Sequence, residues 1–356
     1  MDIINIHTKR CVLFLLATLL PVLFFFCTFN FADSHEVYVL DQQTIAYDVA
    51  AQSPNPFDAF ATNRGRFFFW GFIGFLLVST IFFASIFNVF ENWFNPFFMR
   101  GKKYAAPIAR VTLGACLIAC AYNAGLFGPE LPIVDFAGSY VWAVQTVFYI
   151  CGTLIALGLF TRLAAIPVLF VYLLGVVHWG FYMLNYANYL GEIFFAIILG
   201  GGYLSTDKGK MGGIPNTWRR RVRQFEPYAF PILRVLFGIS IVFAAVYAKF
   251  LHSELALDTI SLFNLTAVFP FEPLFIVLGA FIVESLIGLF FIFGFEIRWT
   301  SIFFLFWLIL SLVYFGEAVW PHLVLIGLNL TFLLHGYDRY SVEEYFFKHR
   351  KLEPIL

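Results

Sequence analysis

The residues able to do chemistry in this sequence are few and lie in apolar company. His178, Glu192, Lys249, His252, Glu284, Glu317 and His322 each sit within or at the edge of a long hydrophobic stretch. An ionisable group in such surroundings is costly to keep, so each is a candidate for function. His titrates near neutrality and Glu can exchange a proton beside it. His178, Glu192, Glu317 and His322, which a cytoplasmic N-terminus places in the outer leaflet, therefore form a candidate outer polar site, with Tyr182, Tyr186, Trp179 and Trp320 as its walls. The alternative is a set of interfacial side chains reaching for lipid headgroups within an aromatic belt. Lys249 and Glu284 form a candidate buried ion pair. Cys11, Cys27, Cys116, Cys120 and Cys151 show no C-x-x-C pattern and read as small packing residues. Cys116 and Cys120 share a helix face, where geometry disfavours a bond between them. Neither a zinc pattern nor a Walker, dinucleotide-binding or nucleophile-elbow motif occurs, so no metal is expected and no catalytic residue stands out.

The elements holding these residues follow from composition. Hydrophobic residues make up 61% of the chain and charged residues 12%, with mean hydropathy +0.83. Soluble domains carry about 25% charged residues. A water-facing surface cannot be built from so few charges, whereas lipid is the natural solvent for outer faces rich in Phe. Membrane helices need about 20 apolar residues, and ten stretches qualify: roughly 11–30, 67–89, 106–127, 139–160, 163–184, 188–204, 230–251, 272–293, 299–316 and 319–335. The fold class expected is all-α integral membrane. With a cytoplasmic N-terminus, 19 of the 22 Lys and Arg residues fall on the inner side, the exceptions being Arg64, Arg66 and Lys249. Such a bias is what the positive-inside rule demands of a correct count. Both termini are then cytoplasmic. The first stretch has the charged start of a signal peptide in Lys9 and Arg10, but it lacks a small-residue cleavage site and reads as a retained anchor. Residues 31–66 form an acidic outer loop, a surface for an envelope partner.

A repeat runs through the later helices. Arg110-Val111-x-x-Gly114 opens the third and Arg234-Val235-x-x-Gly238 the seventh. Gly158-Leu159-Phe160-Thr161-Arg162 joins the fourth to the fifth, and Gly294-Phe295-Glu296-Ile297-Arg298 the eighth to the ninth. Gly202-Tyr203 and Gly336-Tyr337 close the two units. Each unit has an even number of helices, so the two start on the same face and are parallel repeats. Arg110, Arg162, Arg234 and Arg298 are their structural anchors, expected to snorkel to headgroups, while each Gly permits close helix approach. The chain divides into an N-terminal hairpin with its loop (1–104), a first unit (105–210), a basic linker (211–229), a second unit (230–340) and a tail (341–356). The Arg219-Arg220-Arg221-Val222-Arg223 run in the linker fits anionic headgroups on the cytoplasmic face rather than nucleic acid.

The R-V-x-x-G opening and the Gly158-to-Ala165 turn resemble the DoxX-like family, and Phe293 to Ile302 carries a weaker form of the same turn. The chain is similar to two such four-helix units in tandem, over about 110–204 and 234–337. The resemblance implies a bacterial inner-membrane protein linked to membrane redox or thiol handling. Some members serve as membrane subunits of thiosulfate:quinone oxidoreductase, so a quinone is the cofactor implied, its carbonyls meeting His and Glu of the polar site. Two other functions stay open: a non-enzymatic scaffold or assembly factor of an envelope complex, and a small-solute transporter.

Overall fold

The computed structural model describes residues 40, 42–65, 68, 71–76, 79, 94–205, 221–315, 319–338 and 340–346. Outside the described residues lie the first apolar stretch, most of the second, Cys11, Cys27, residues 206–220 with Arg219 and Arg220 of the linker, residues 347–356 of the tail, and Glu317.

Apolar runs of helix-forming residues become eight main helices: α1 (Ala105–Asn123), α2 (Val141–Leu157), α3 (Thr161–Trp179), α4 (Ala187–Leu199), α5 (Ala229–Val246), α6 (Pro273–Phe293), α7 (Ile297–Phe315) and α8 (Val319–His335). They stand where the third to tenth apolar stretches lie in the sequence. Among the described residues, six continuous helical segments are long and apolar enough to cross a membrane: Phe94–Asn123, Ile133–Leu157, Thr161–Leu199, Glu226–Leu251, Pro273–Phe293 and Ile297–Phe315. The third holds both α3 and α4, which pack on each other, so the chain reverses within the 3-10 stretch Gly180–Tyr186. Trp320–His335 is apolar but shorter.

Each helix packs on the next in sequence, and α8 packs back on α1. Contacts of α1 with α4, and of α5 with α8 through Phe237 and Phe332, draw this ring into two four-helix groups. Helices α1, α4, α5 and α8 meet in the middle; α2, α3, α6 and α7 lie at the sides. The lateral helices carry bare apolar side chains, among them Phe170, Val177, Phe306 and Val313. That surface suits hydrocarbon and not water, as expected for a membrane-embedded bundle.

Glycine sets the closest approaches. A Cβ at Gly114 would stand 2.5 Å from the Gly152 carbonyl oxygen, and one at Gly238 would stand 2.5 Å from the Gly288 carbonyl oxygen. Backbone therefore meets backbone where α1 crosses α2 and where α5 crosses α6. Gly158 and Gly294 end α2 and α6 in the left-handed region, both at φ +68°. Phe160 and Glu296, two residues on, are also left-handed, at φ +48° and +46°.

The four arginines differ from the sequence expectation. Arg110, Arg234 and Arg298 are buried rather than reaching outward to headgroups. Arg110 donates to the carbonyls of Gly201 and Leu204, the latter at 3.1 Å. Arg234 donates to the Phe291 carbonyl, to the Ile292 carbonyl at 2.7 Å and to Asp338 Oδ2 at 2.8 Å. Arg162 donates to the Ile198 carbonyl at 2.9 Å. Arg298 lies against Gly336 and over the Phe98 ring, 4.8 Å from its centroid. The physical reason is the unmet demand of helix C-termini: their last carbonyls have no intrahelical donor, and a guanidinium offers five N–H groups and a charge that suits the helix dipole.

Residues 42–65 fold over one end of the second group. Ser253 Oγ donates to the Pro54 carbonyl at 2.5 Å, Asn63 Nδ2 donates to Glu272 Oε2 at 2.9 Å, and Phe57 packs edge-on against Phe250 and Phe281. A helix Ser253–Leu262 and a short turn Leu265–Val268 complete this cover.

Candidate functional site

Under that cover lies a cavity of about 370 Å³. Its walls come from α5, α6, α7 and α8, the Ser253–Leu262 helix and the Leu265–Val268 turn, and, from the first group, the α3–α4 connection, the start of α4 and Glu130 of the α1–α2 loop. Most of the wall is apolar, including Ile241, Val277, Phe304 and Leu308. A few polar groups converge on it, the usual composition of a small-molecule site.

The first polar feature is an ion pair. Lys249 Nζ stands 3.0 Å from Glu284 Oε2, and both side chains are largely hidden from solvent. Lys249 sits on the π-helical stretch Tyr247–Leu251 that continues α5. A π turn adds a residue to the helical turn and re-aims its side chains, a feature frequent at functional sites. Glu284 reaches the pair from the middle of α6. Removing one member of such a pair costs about 3–5 kcal/mol, because the other charge is left buried alone.

The second is His322, one turn into α8, 1% exposed and part of the cavity wall. The third is Glu130, which the sequence reading missed. It stands between α1 and α2 in a loop held by Leu126 N–H to the Leu131 carbonyl at 2.7 Å and Ile133 N–H to the Ala124 carbonyl at 2.9 Å. Tyr186 and Tyr182 both donate to Glu130 Oε1, Tyr182 at 3.2 Å. Glu130 Oε2 is buried and has no hydrogen-bond partner among the described residues. A buried acceptor without a donor costs about 1–3 kcal/mol. Burial pushes the Glu130 carboxyl up to about 7, against the hydrogen bonds from Tyr186, its own backbone amide and Tyr182, which pull it down. Its one sequence signal is an acidic residue in the Gly128-Pro129-Glu130 turn, and acidic loop residues are ordinarily solvated.

The four residues of the expected outer site do not share one place. His178 is exposed at the end of α3, its ring 4.6 Å from that of Trp179 and 6.4 Å from that of Phe136. Glu192 is 1% exposed in the first group, does not line the cavity, and has no hydrogen-bond partner for either carboxyl oxygen among the described residues. Glu317 lies outside the described residues. Of the three that are described, His322 alone lines the cavity. Tyr182 and Tyr186 do line it, whereas Trp320 is buried against Gly125 and Trp179 packs on Phe136.

Near Glu192, Cys116 Sγ lies 2.8 Å from Tyr189 Oη and donates to the Trp320 carbonyl at 3.1 Å. Cys116, Cys120 and Cys151 are buried free thiols. Among the described residues no group of three or more His, Cys, Asp or Glu side chains is placed to hold a metal ion. His252, at the end of the π stretch, has its ring tilted 4.7 Å from that of Tyr247, and partial burial holds its imidazole below the ordinary value. Comparison with protein-family models, with curated proteins and with solved structures finds no match to this chain.

Proposed function

We propose that this chain is a ten-span protein of the bacterial cytoplasmic membrane, built from an N-terminal hairpin and two tandem, like-oriented four-helix units of the DoxX-like kind. Its second unit binds a quinone-type molecule and links the protein to membrane redox chemistry. Both termini are cytoplasmic, the basic linker meets anionic headgroups, and the 31–66 loop serves an envelope partner.

Support for duplication comes from matched residues doing the same job. Gly158, Arg162 and Gly200 precede Gly294, Arg298 and Gly336 by one constant interval. Gly200 and Gly336 lie against Arg162 and Arg298 respectively. At the α4–α5 junction Gly191 faces Leu233 and Leu236; at the α8–α1 junction Gly327 faces Thr112. Gly191 matches Gly327 and Leu236 matches Thr112, the reciprocal use that a two-fold axis along the membrane normal requires.

One observation carries the functional reading. In the register of the two units, Phe148, Tyr172, Tyr186 and Tyr189 correspond to Glu284, Leu308, His322 and Leu325. The first set packs around Phe127, with ring centroids 5.7, 5.6, 6.4 and 4.5 Å away. The second set lines the cavity, and Tyr186 and Tyr189 of the first set also reach its wall. The same architecture is thus filled by rings in one unit and hollow in the other, with a carboxylate and an imidazole installed at two emptied positions. An apolar chamber holding a Lys–Glu pair and a His suits a ring with polar substituents and a hydrocarbon tail.

The test is binding of a short-tailed quinone to the purified protein. Leu308→Tyr, which restores the ring found in the first unit, is expected to weaken binding at least about tenfold, while Leu308→Ala retains it. Absence of binding by the intact protein, or binding unchanged by Leu308→Tyr, would refute the reading.

A further inference from the structure

The polar end of the cavity shows a demand that the protein does not meet. Glu130 Oε1 takes the hydroxyls of both Tyr182 and Tyr186, while Oε2 is buried and accepts from no other described residue. Asn185 stands beside Tyr186 in the same turn, and its Oδ1 is likewise buried without a donor. Glu130 and Asn185 both line the cavity. Buried polar atoms in folded proteins are almost always satisfied, and an exception calls for a missing partner.

The arrangement is preformed. The Glu130 loop is closed by backbone hydrogen bonds at both ends and crossed by Leu131 N–H to the Gly128 carbonyl at 3.3 Å. Gly128 leaves room for the Tyr186 hydroxyl, which any side chain at that position would strike. Tyr182 is held in turn by the Tyr247 ring at 4.9 Å. With two hydroxyls fixed on one carboxyl oxygen, the other oxygen of Glu130 is held in place to accept.

We propose that the occupant of the cavity presents hydroxyl groups to Glu130 Oε2, in its ionised form, and to Asn185 Oδ1, so that the site selects a hydrogen-bond donor head over an acceptor head of the same shape. This inference rests on the reading of the cavity as a quinone-type site and narrows it to the reduced, hydroxyl-bearing form. Against the ionised carboxylate a ring carbonyl would set acceptor against acceptor, leaving both unpaired. A phenolic O–H satisfies the Glu130 oxygen in its charge-assisted form, the stronger class of hydrogen bond. The selection is a binding preference and involves no electron transfer.

A decyl-substituted benzoquinone and the corresponding hydroquinone form the probe pair, since they share a shape and differ in donors and acceptors. Affinities are measured anaerobically on the full-length protein at about pH 8, where the Glu130 carboxyl is ionised. The hydroquinone is expected to bind at least about tenfold more tightly. In Glu130→Gln an amide N–H₂ can replace the empty oxygen, and the preference is expected to vanish or reverse while the quinone still binds. Asn185→Leu is read in parallel and weakens the hydroquinone alone. Equal affinity for the two forms, or a preference untouched by Glu130→Gln, overturns the donor selection and leaves the cavity reading standing. Binding of neither form by the intact protein overturns the cavity reading, and with it this one.

Discussion

At the scale of single residues, placement decides what a charge can do. Glu130 and Glu192 are both carboxyls in largely apolar settings, yet only Glu130 meets the cavity and has hydroxyl donors. Its raised value has a measurable consequence. As pH climbs, the unfolded chain loses the proton first, near 4.3, and the folded chain only near 7. Between those values the folded state binds more protons, so stability is full at lower pH and falls as pH rises toward neutrality. The difference corresponds to about 3 kcal/mol. Thermal unfolding in detergent is expected to show a lower midpoint at about pH 7.5 than at about pH 5, and Glu130→Gln to remove most of that drop. An identical pH dependence in the variant would contradict the burial argument. The sequence revealed the intramembrane candidates because charges stand out in apolar runs. It concealed Glu130 because an acidic residue after Gly-Pro looks like any solvated turn until its neighbours are known.

At the scale of elements, the helices were legible and their contacts were not. Apolar length marks a helix; it does not say which neighbour fills the groove. The four arginines show the gap. Position near a helix start suggested headgroups, whereas the carbonyls at the ends of neighbouring helices draw the guanidinium groups inward. The glycines show the opposite case, since R-V-x-x-G already implied close approach. A methyl at Gly238 meets the Gly288 oxygen at 2.5 Å and the Ile292 nitrogen at 2.8 Å, whereas one at Gly279 meets nothing within 4 Å. Gly238→Ala is therefore expected to destabilise by about 2 kcal/mol or more, since overpacked sites cost about 1–3 kcal/mol. Gly279→Ala should be neutral or stabilising by up to about 1 kcal/mol from helix propensity. Equal effects of the two substitutions on detergent unfolding would sink the claim that α5 and α6 meet backbone to backbone.

At the scale of the whole molecule, we propose that one architecture is used twice, filled in its first copy and hollow in its second. Residues 42–65 cover the hollow end, and the Lys249–Glu284 pair, His322 and Glu130 supply its polar groups. The spacing of Gly and Arg motifs is what points to the proposed duplication in the sequence. The hollow was not, because it depends on Phe148, Tyr172, Tyr186 and Tyr189 against Glu284, Leu308, His322 and Leu325, positions that match only once the register is fixed. The most direct measurement is the content of lipid-soluble molecules in protein purified gently from its own membrane, with Leu308→Tyr prepared in parallel. The account predicts a quinone-type molecule at close to one per chain in the natural protein and its loss from Leu308→Tyr, both proteins unfolding at similar temperatures. A natural protein without such an occupant, or an occupant retained in full by Leu308→Tyr, would contradict it.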